Sequence, residues 1–315
     1  MVHRVHVIAG SIVLAVTAVA GFVVGGSTIL AEVFDERSTI TVETWNIRHD
    51  NPGDGPHAWP KRRADVIEHL ENGAADVIAL QEVLPSQVVA IRKGLPEYGL
   101  FVRSRESDEA RGEAVPILWR RDRWRLDSDH AEHFWLSETP EVPGSMSWNT
   151  ACTRMVTVVR LLPVGRPAGR SPIWVFNLHL DHRSVEARKK GAGLVRDRIA
   201  SRPRTMQGEP VVILGDLNAR PGSPPVQALL AEGEDGSFVD AWSAIDGRTD
   251  ETPRGTWNGW DADARLRRID HILVRGLAVL AADIVRPTND AGPLSDHWPI
   301  RATLGFIVDL ESIPE

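Results

Sequence analysis

The chain has 315 residues, 42% of them hydrophobic, and its 36 lysines and arginines are outnumbered by 43 aspartates and glutamates. A chain of this length can fold without disulfides or a structural metal, and a single cysteine excludes a disulfide-stapled scaffold and a cysteine-based zinc cluster. The net charge of −7 argues against a protein that coats nucleic acid through bulk positive charge, although a local basic groove remains compatible with it.

The N-terminal segment over residues 7–31 contains no charged residue and is rich in Val, Ile, Leu, Ala and Gly. As a helix it would be about 37 Å long, enough to cross a hydrocarbon core of roughly 30 Å. We expect a transmembrane anchor here, with a cleaved signal peptide as the alternative. Arg4 precedes the segment and acidic residues follow it, so we expect a cell-membrane protein with an extracytoplasmic catalytic domain, or a secreted protein if the segment is cleaved.

After a short polar linker, strands and helices follow one another without a repeated period. A strand enters at Thr39, a loop rich in Pro and Gly covers residues 51–56, and a helix opens at Pro60 and ends at Gly73. The remaining predictions are a helix over residues 184–199 and strands over residues 77–80, 115–119, 155–162, 173–180, 211–214, 269–274 and 300–304.

This mixture of elements predicts an α/β domain with more than one sheet. We recognise no linker within residues 39–306, and therefore expect one catalytic domain over that range. It would be preceded by an anchor or signal and linker over residues 1–38 and followed by a tail over residues 307–315.

Polar residues recur at the ends of the apolar strands, which is the usual place for functional sites in α/β sheets. A single such carboxylate is more often a turn former or a helix cap. The set is nevertheless large for one domain, and it is rich in hard oxygen donors without thiols, which suits Mg²⁺, Mn²⁺ or Ca²⁺. Its members are Asn46, Glu82, His179, Asp216, Asn218, Asp270, His271, Asp296 and His297.

Six short motifs contain these residues, in the order TWNIR (44–48), LQEV (80–83), NLHLD (177–181), GDLN (215–218), RIDHI (268–272) and SDH (295–297). The series resembles the endonuclease/exonuclease/phosphatase superfamily, which includes pancreatic-type DNases, abasic-site endonucleases, neutral sphingomyelinases and inositol polyphosphate 5-phosphatases. The resemblance spans residues 39–306 and implies a four-layer α/β sandwich, with two central mixed β-sheets flanked by helices.

The resemblance also implies a metal site. Glu82 would be the principal ligand of Mg²⁺ or Mn²⁺, Asn46 would assist it, and Asp296 would lie next to the ion or its water. Arg48 stands where abasic-site endonucleases carry an acidic residue, so a ligand for a second ion is missing and one ion is expected. Two interpretations of Arg48 stay open, namely a bidentate contact with a substrate phosphate, to which Asn46 would also bind, and a surface salt bridge.

The remaining motif residues would carry the chemistry. By the same resemblance, Asp216 and Asn218 would hold and activate the attacking water and contact the phosphate, and His179 would bind the scissile phosphate. His297 would be the catalytic histidine, with Asp270 orienting its ring. A carboxylate or an imidazole can take the proton of water, and histidine donors can stabilise the pentacoordinate state. Whether Asp216 or His297 is the base stays open.

We therefore expect a monomeric, exported, metal-dependent phosphoesterase acting on a phosphomonoester or phosphodiester of a small molecule, sugar or lipid headgroup. The alternative is an extracellular nuclease, if the basic clusters 61–63, 120–125 and 265–268 converge beside Glu82. A binding module that has lost its activity is the weakest hypothesis, because every motif position carries a chemically competent residue.

Four other features have structural interpretations. We expect the charged stretch 105–113 to be a solvated loop, and Asp181 with His182 to support the structure rather than the chemistry. Cys152 is expected in the core of a strand, because a reactive thiol needs an activating environment.

Overall fold

A computed structural model describes residues 38–165, 169–233, 236–245, 255–263 and 267–307 of the chain. The predicted anchor or signal helix over residues 7–31 lies outside these ranges, as does the tail from residue 308 onward. Among the described residues, no helix is long and apolar enough to cross a membrane.

Two six-stranded mixed sheets form the centre of the described part of the chain. In spatial order, the first sheet contains β11 (Leu277–Ile284), β14 (Ile300–Phe306), β1 (Thr39–Asn46), β2 (Val77–Gln81), β4 (Ile117–Arg120) and β3 (Tyr98–Phe101). The second sheet contains β5 (Trp124–Trp135), β6 (Met155–Pro163), β7 (Ile173–His179), β8 (Val211–Asp216), β10 (Asp270–Arg275) and β9 (Val239–Asp240). Each sheet has one parallel pair at its centre, β1 with β2 and β7 with β8. A separate hairpin joins β12 (Thr288–Asn289) to β13 (Gly292–Pro293).

The helices are α1 (Trp59–Gly73), α2 (Pro85–Gly94), α3 (Val185–Ala200) and α4 (Pro224–Leu230), with short 3₁₀ helices at Pro52–His57 and Arg204–Met206. Proline lies in the first turn of α1, where its missing N–H costs no hydrogen bond. The side chain of Ser184 caps α3 by accepting a hydrogen bond from the backbone N–H of Ala187. The two helices predicted from the sequence are thus confirmed to within a residue at each end.

Successive side chains of the central strands point to opposite faces of each sheet, so each sheet packs against the other sheet on one face and against helices on the other. In β2, Val77 and Ala79 face the core between the two sheets, whereas Ile78 and Leu80 pack with residues of α1 and α2. In β7, Val175 faces the same central core and Phe176 packs with residues of α3 and α4. The result is helices, sheet, sheet and helices, which confirms the predicted α/β sandwich.

The sequence prediction missed several strands, and they share a position in the sheets. β3, β5, β9 and β11 are all edge strands. An edge strand is covered on fewer sides than a central one, so it carries more polar residues and loses the apolar alternation on which the prediction depends. β5, for example, is buried only at its two ends, exposes Arg125, Ser128 and Asp129, and contains a register irregularity between Asp127 and Glu132.

Candidate active site

The topology brings the ends of four central strands to one edge of the sandwich. Asn46 ends β1, Glu82 follows β2 directly, and His179 and Asp216 end β7 and β8. β10 runs antiparallel to β8, so its first residue, Asp270, lies opposite Asp216 in the register of the two strands. Residues far apart in the sequence therefore meet without long loops.

Buried amides join the two sheets directly beneath this edge. The side chain of Gln81 donates to Oδ1 of Asn177 across the sheets, over 2.8 Å. The Asn177 amide in turn donates to the backbone oxygens of Leu80 and Pro116. Both side chains are fully buried, so this network sets the spacing between Glu82 and His179, which follow them in the chain.

The SDH motif is tied to the end of β1. Nε1 of Trp45 donates to the backbone oxygen of His297 over 2.9 Å. The hydroxyl of Ser295 donates to the backbone oxygen of Asn46 over 2.7 Å. These two bonds hold the loop before β14 against the strand that carries the first site residue.

His297 lies between two buried carboxylates. Its Nδ1 is 2.9 Å from Oδ2 of Asp270, and its Nε2 is 3.9 Å from Oδ2 of Asp216. Burial opposes a charge on the ring, but Asp270 and then Asp216 outweigh it and raise the pKa of His297 well above its usual value. The two carboxylates therefore favour the protonated form of the ring, in which Nε2–H faces Asp216.

Asp216 is held in its ionised form. Its Oδ2 is 3.1 Å from Nδ2 of Asn46 and 3.3 Å from Nε2 of His179, and its Oδ1 accepts the backbone N–H of Asn218. Burial opposes ionisation, but His179 and then His297 hold the pKa of Asp216 below its usual value.

Glu82 has both carboxylate oxygens engaged, in a backbone conformation with φ of 62°. Oε1 accepts from Nδ2 of Asn46 over 3.0 Å, and Oε2 lies 2.8 Å from Nδ1 of His49. Burial opposes ionisation, but His49 and His179 hold the pKa of Glu82 well below its usual value. The sequence interpretation missed His49, although its place in the loop just after Asn46 was a usable signal.

Two of the predicted ion ligands, Glu82 and Asp296, lie near the same arginine. Nη1 of Arg48 is 4.0 Å from one oxygen of Glu82 and 4.0 Å from one oxygen of Asp296, so its guanidinium provides a positive charge near both carboxylates. Burial raises the pKa of Asp296; His297 lowers it, and the charge of Glu82 raises it again. A cation between the two carboxylates would relieve their repulsion, and hard oxygen donors suit Mg²⁺ or Mn²⁺.

Asp216, Asp270 and His297 also place potential ligand atoms within 4.8 Å of one another. Nδ1 of His297 is already bonded to Asp270, however, so this set acts as a hydrogen-bonded unit rather than a second ion site. Binding of one ion by Glu82 and Asp296 stays a prediction.

The Asn46 amide acts as a donor in this structure. Its Nδ2 faces Glu82 and Asp216, and its Oδ1 accepts the backbone N–H of Arg48 over 3.0 Å. The amide thus links the proposed ion ligand to Asp216. Its roles as a metal ligand and as a phosphate contact stay predictions.

Arg48 forms a salt bridge with Asp54 that uses two guanidinium nitrogens, over 3.0 and 3.1 Å. This hydrogen bonding raises the pKa of Arg48, which stays charged. The salt bridge is partly buried rather than superficial, and Nη1 points toward Glu82 and Asp296. A contact between Nη1 and a substrate phosphate stays a prediction.

The GDLN loop is braced from two sides. Asn218 has φ of 47°, and its Nδ2 donates to the backbone oxygen of Leu180. Nε2 of the buried His271 lies 2.9 Å from the backbone oxygen of Ala219, and its Nδ1 lies 3.0 Å from Asp240. His271 therefore supports the loop, and the proposed phosphate contacts of Asn218 and His179 stay predictions.

The structural role predicted for Asp181 agrees with the structure, whereas the position predicted for Cys152 does not. The carboxylate of Asp181 accepts four hydrogen bonds from the surrounding loops, in keeping with a structural role. The expectation that Cys152 lies in a strand core was wrong. Cys152 is partly exposed in the loop before β6, because the backbone N–H of Ala151 and the hydroxyl of Thr150 are bound to Asp181 rather than to a sheet.

In the first basic cluster, Lys61 and Arg63 are exposed, whereas Arg62 faces inward. Arg62 is only 2% exposed, and its guanidinium donates to the backbone oxygens of His57, Ile47 and Arg48. Burial lowers the pKa of Arg62 to about 10, so it remains charged at neutral pH. This arginine shapes the loop after β1 and is not available to a polyanion.

In the other two clusters, the arginines that form described ion pairs with Asp76 and Asp240 are engaged within the protein. In the cluster over residues 120–125, Arg123 binds Asp76 over 2.5 Å, at the end of β2 opposite to the site. Arg268 in the third cluster is buried and bound to Asp240 over 2.8 Å, and the start of that cluster lies outside the described residues.

Comparisons with known proteins agree with this geometry. The model of the Endonuclease/Exonuclease/phosphatase family matches residues 44–297. A solved endonuclease/exonuclease/phosphatase from Bacteroides vulgatus is 26% identical, with a TM-score of 0.77 over 85% of this chain and 99% of that one. A mannosyl-6-phosphatase of Bacteroides thetaiotaomicron is also 26% identical, with a TM-score of 0.74 over 85% of this chain and 100% of that one.

A curated relative, protein angel homolog 2 of Danio rerio, is 25% identical over 218 residues. The match covers 67% of this chain but only 36% of the relative, so the chain spans about a third of that protein. Together with the family match over residues 44–297, the strand-end carboxylates and histidines show that the chain belongs to the endonuclease/exonuclease/phosphatase family of metal-dependent phosphoester hydrolases.

Proposed function

We propose that the chain hydrolyses a phosphoester of a small molecule, sugar or lipid headgroup with the help of one Mg²⁺ or Mn²⁺ ion. The observation that carries the proposal is the placement of His297 between Asp270 and Asp216, beside the carboxylates of Glu82 and Asp296. When bound, the ion would neutralise charge on a phosphate oxygen.

The ionisation states of Asp216 and His297 suggest a different role in proton transfer for each residue. Asp216 is ionised and buried beside Asn46 and His179, so it is the group that accepts a proton from the attacking water. The water oxygen bonds to phosphorus as the bond to the leaving group breaks. His297 carries a proton on Nε2 and donates a hydrogen bond to the charge that develops on the phosphoryl oxygens. Asp270 holds the ring in place through Nδ1.

Two findings support a small substrate over a nucleic acid. The similarity to a mannosyl-6-phosphatase extends over 85% of this chain. In the part of the chain that the structure describes, Arg62 and Arg268 are buried in internal contacts and Arg123 lies at the far end of β2. A polyanion would need several exposed cations beside the site.

A substrate panel tests this proposal. The purified full chain, in detergent with Mg²⁺ or Mn²⁺, would be incubated with sugar phosphates, inositol phosphates, sphingomyelin, a generic phosphodiester, plasmid DNA and RNA. We expect the highest kcat/KM among the small-molecule phosphoesters and no activity in an Asp216→Asn control. Faster cleavage of DNA or RNA than of every small substrate would contradict the proposal and favour the nuclease.

We also propose that the catalytic domain works outside the cytoplasm, held at the membrane by residues 7–31. The uncharged run of 25 residues and the charges on either side of it support this location. Protease added to intact cells should degrade the catalytic domain while a cytoplasmic marker survives. A full-length product found in the soluble cytoplasmic fraction would contradict both the anchor and the signal peptide.

A further inference from the structure

Arg154 is a buried cation with hydrogen-bond donors left over. It directly precedes β6 and is 5% exposed. Its Nη2 lies 3.1 Å from Nδ1 of His182, whereas its Nε and Nη1 are buried without a hydrogen-bond partner. An arginine cannot give up its proton, so these N–H groups keep their need for an acceptor at any physiological pH. Leaving them unpaired is costly unless something else binds there.

No neighbouring carboxylate meets this need. Nε of Arg154 is 3.9 Å from Oδ2 of Asp181, too far for a hydrogen bond. The oxygens of Asp181 are already taken by other donors, namely the hydroxyl of Thr150 and the backbone N–H groups of Ala151, Arg183 and Ser184. The charge of Arg154 is therefore only partly balanced from within the protein.

Arg154 lines the same small cleft as two of the candidate site residues. Arg154 shares this cleft with Glu82 and His179. β6 pairs with β7, the strand that ends in His179, which explains why the two residues are neighbours. A second arginine in the cleft, Arg105, forms a two-pronged salt bridge with Glu113 over 2.7 and 3.0 Å. Of these two arginines, only Arg154 has spare donors.

We propose that Arg154 binds the non-bridging oxygens of the substrate's terminal phosphate, and that it makes the site selective for phosphomonoesters over phosphodiesters. This proposal rests on the proposed phosphoesterase function. A terminal phosphate carries close to two negative charges near neutral pH and three free oxygens. A diester carries one charge and two free oxygens, so an extra buried cation beside His179 stabilises the monoester more.

The test compares Arg154→Met and Arg154→Lys with the wild-type full chain. Binding of inorganic phosphate in the presence of Mn²⁺ would be measured by calorimetry, and kcat/KM would be measured with 4-nitrophenyl phosphate and bis(4-nitrophenyl) phosphate. We expect Arg154→Met to weaken phosphate binding about 10- to 100-fold, the range for lost hydrogen bonds to a charged group. The preference for the monoester should fall by a similar factor, and Arg154→Lys should lie between.

A purely structural role for Arg154 predicts different results. Removing an arginine with unpaired donors should leave the melting temperature unchanged or raise it, whereas removing a structural arginine should lower it. Arg198→Met is the matched control, since Arg198 pairs with Glu132 and Glu141 on another face, and it should keep wild-type phosphate affinity. If Arg154→Met does not fold, Arg154→Lys carries the test through the same measurements.

Two outcomes would overturn the proposal, namely wild-type phosphate affinity or an unchanged monoester preference in a folded Arg154 variant. The binding measurement also distinguishes a failure of the phosphate site at Arg154 from a failure of the proposed phosphoesterase function. A wild-type chain that binds phosphate through Arg154 but cleaves neither ester would defeat the proposed function and the ester selectivity, while the phosphate site itself would stand.

Discussion

Replacing His297 with alanine should lower turnover by about 10²- to 10⁴-fold, the usual contribution of a positioned acid–base group. Asp270→Asn should cost about 100-fold or more, because the ring of His297 loses the carboxylate that orients it through Nδ1. The double variant should be little worse than His297→Ala alone, since Asp270 then has nothing left to orient. Turnover per folded molecule of the two single variants and the double variant provides the measurement.

The contact between Asp270 and His297 also predicts a spectroscopic result. Burial lowers the pKa of His297, and the charge of Asp270 is the main influence that raises it. Asp270→Asn should therefore move the titration of the His297 ring to lower pH, which NMR can follow. If the two residues only fill space beside Trp298, their substitutions would lower stability roughly additively and leave turnover per folded molecule unchanged. That result, or losses of turnover that multiply in the double variant, would refute the pair as a unit.

Removing divalent ions with EDTA should abolish hydrolysis, and added Mg²⁺ or Mn²⁺ should restore it. The reason is that the predicted ion ligands Glu82 and Asp296 are largely buried carboxylates, the hard oxygen donors that these ions prefer. Glu82→Gln keeps the shape of the side chain but removes its charge. We expect it to raise the metal concentration for half-maximal activity about 10- to 100-fold, the range for a disturbed metal site.

Direct Mn²⁺ binding by electron paramagnetic resonance gives a readout of the Glu82 site that is independent of turnover. Glu186→Gln is a suitable control, because Glu186 is exposed on α3 and pairs with Lys190. It should keep wild-type Mn²⁺ affinity. Activity that survives thorough chelation would disprove the metal requirement, and wild-type Mn²⁺ affinity in Glu82→Gln would remove Glu82 as the ligand.

The fold was largely predictable because its central strands carry local signals. Strands such as β2, β7 and β8 are short apolar runs bounded by polar residues, and each begins at the predicted residue. The edge strands β5 and β11 were missed, since their half-exposed faces dilute that signal. Even so, the central strands with two helices were enough to identify an α/β sandwich.

The candidate site was predictable as a set of residues but not as a set of contacts. Each motif residue stands at a strand end that the sequence reveals, yet Asn46 contacts Asp216, 170 positions away. His49 went unnoticed although it lies just after Asn46, and only the structure shows that it binds Glu82. Arg154 went unnoticed because nothing in its local sequence indicates that it keeps unpaired donors. The basic cluster at residues 61–63 was predicted as a surface, and only the 2% exposure of Arg62 shows that this residue braces a loop.

By itself, the sequence determined the fold class and the family and predicted which side chains would carry the chemistry, because periodicity and motif order are properties of neighbouring residues. Only the tertiary structure decided which side chain bonds to which. It showed that Asp270 is hydrogen-bonded to His297 and His49 to Glu82. It also showed that Arg154, whose charge is only partly balanced, lies in the cleft. Those pairings depend on strand register and on the stacking of two sheets, which join positions that no local pattern connects.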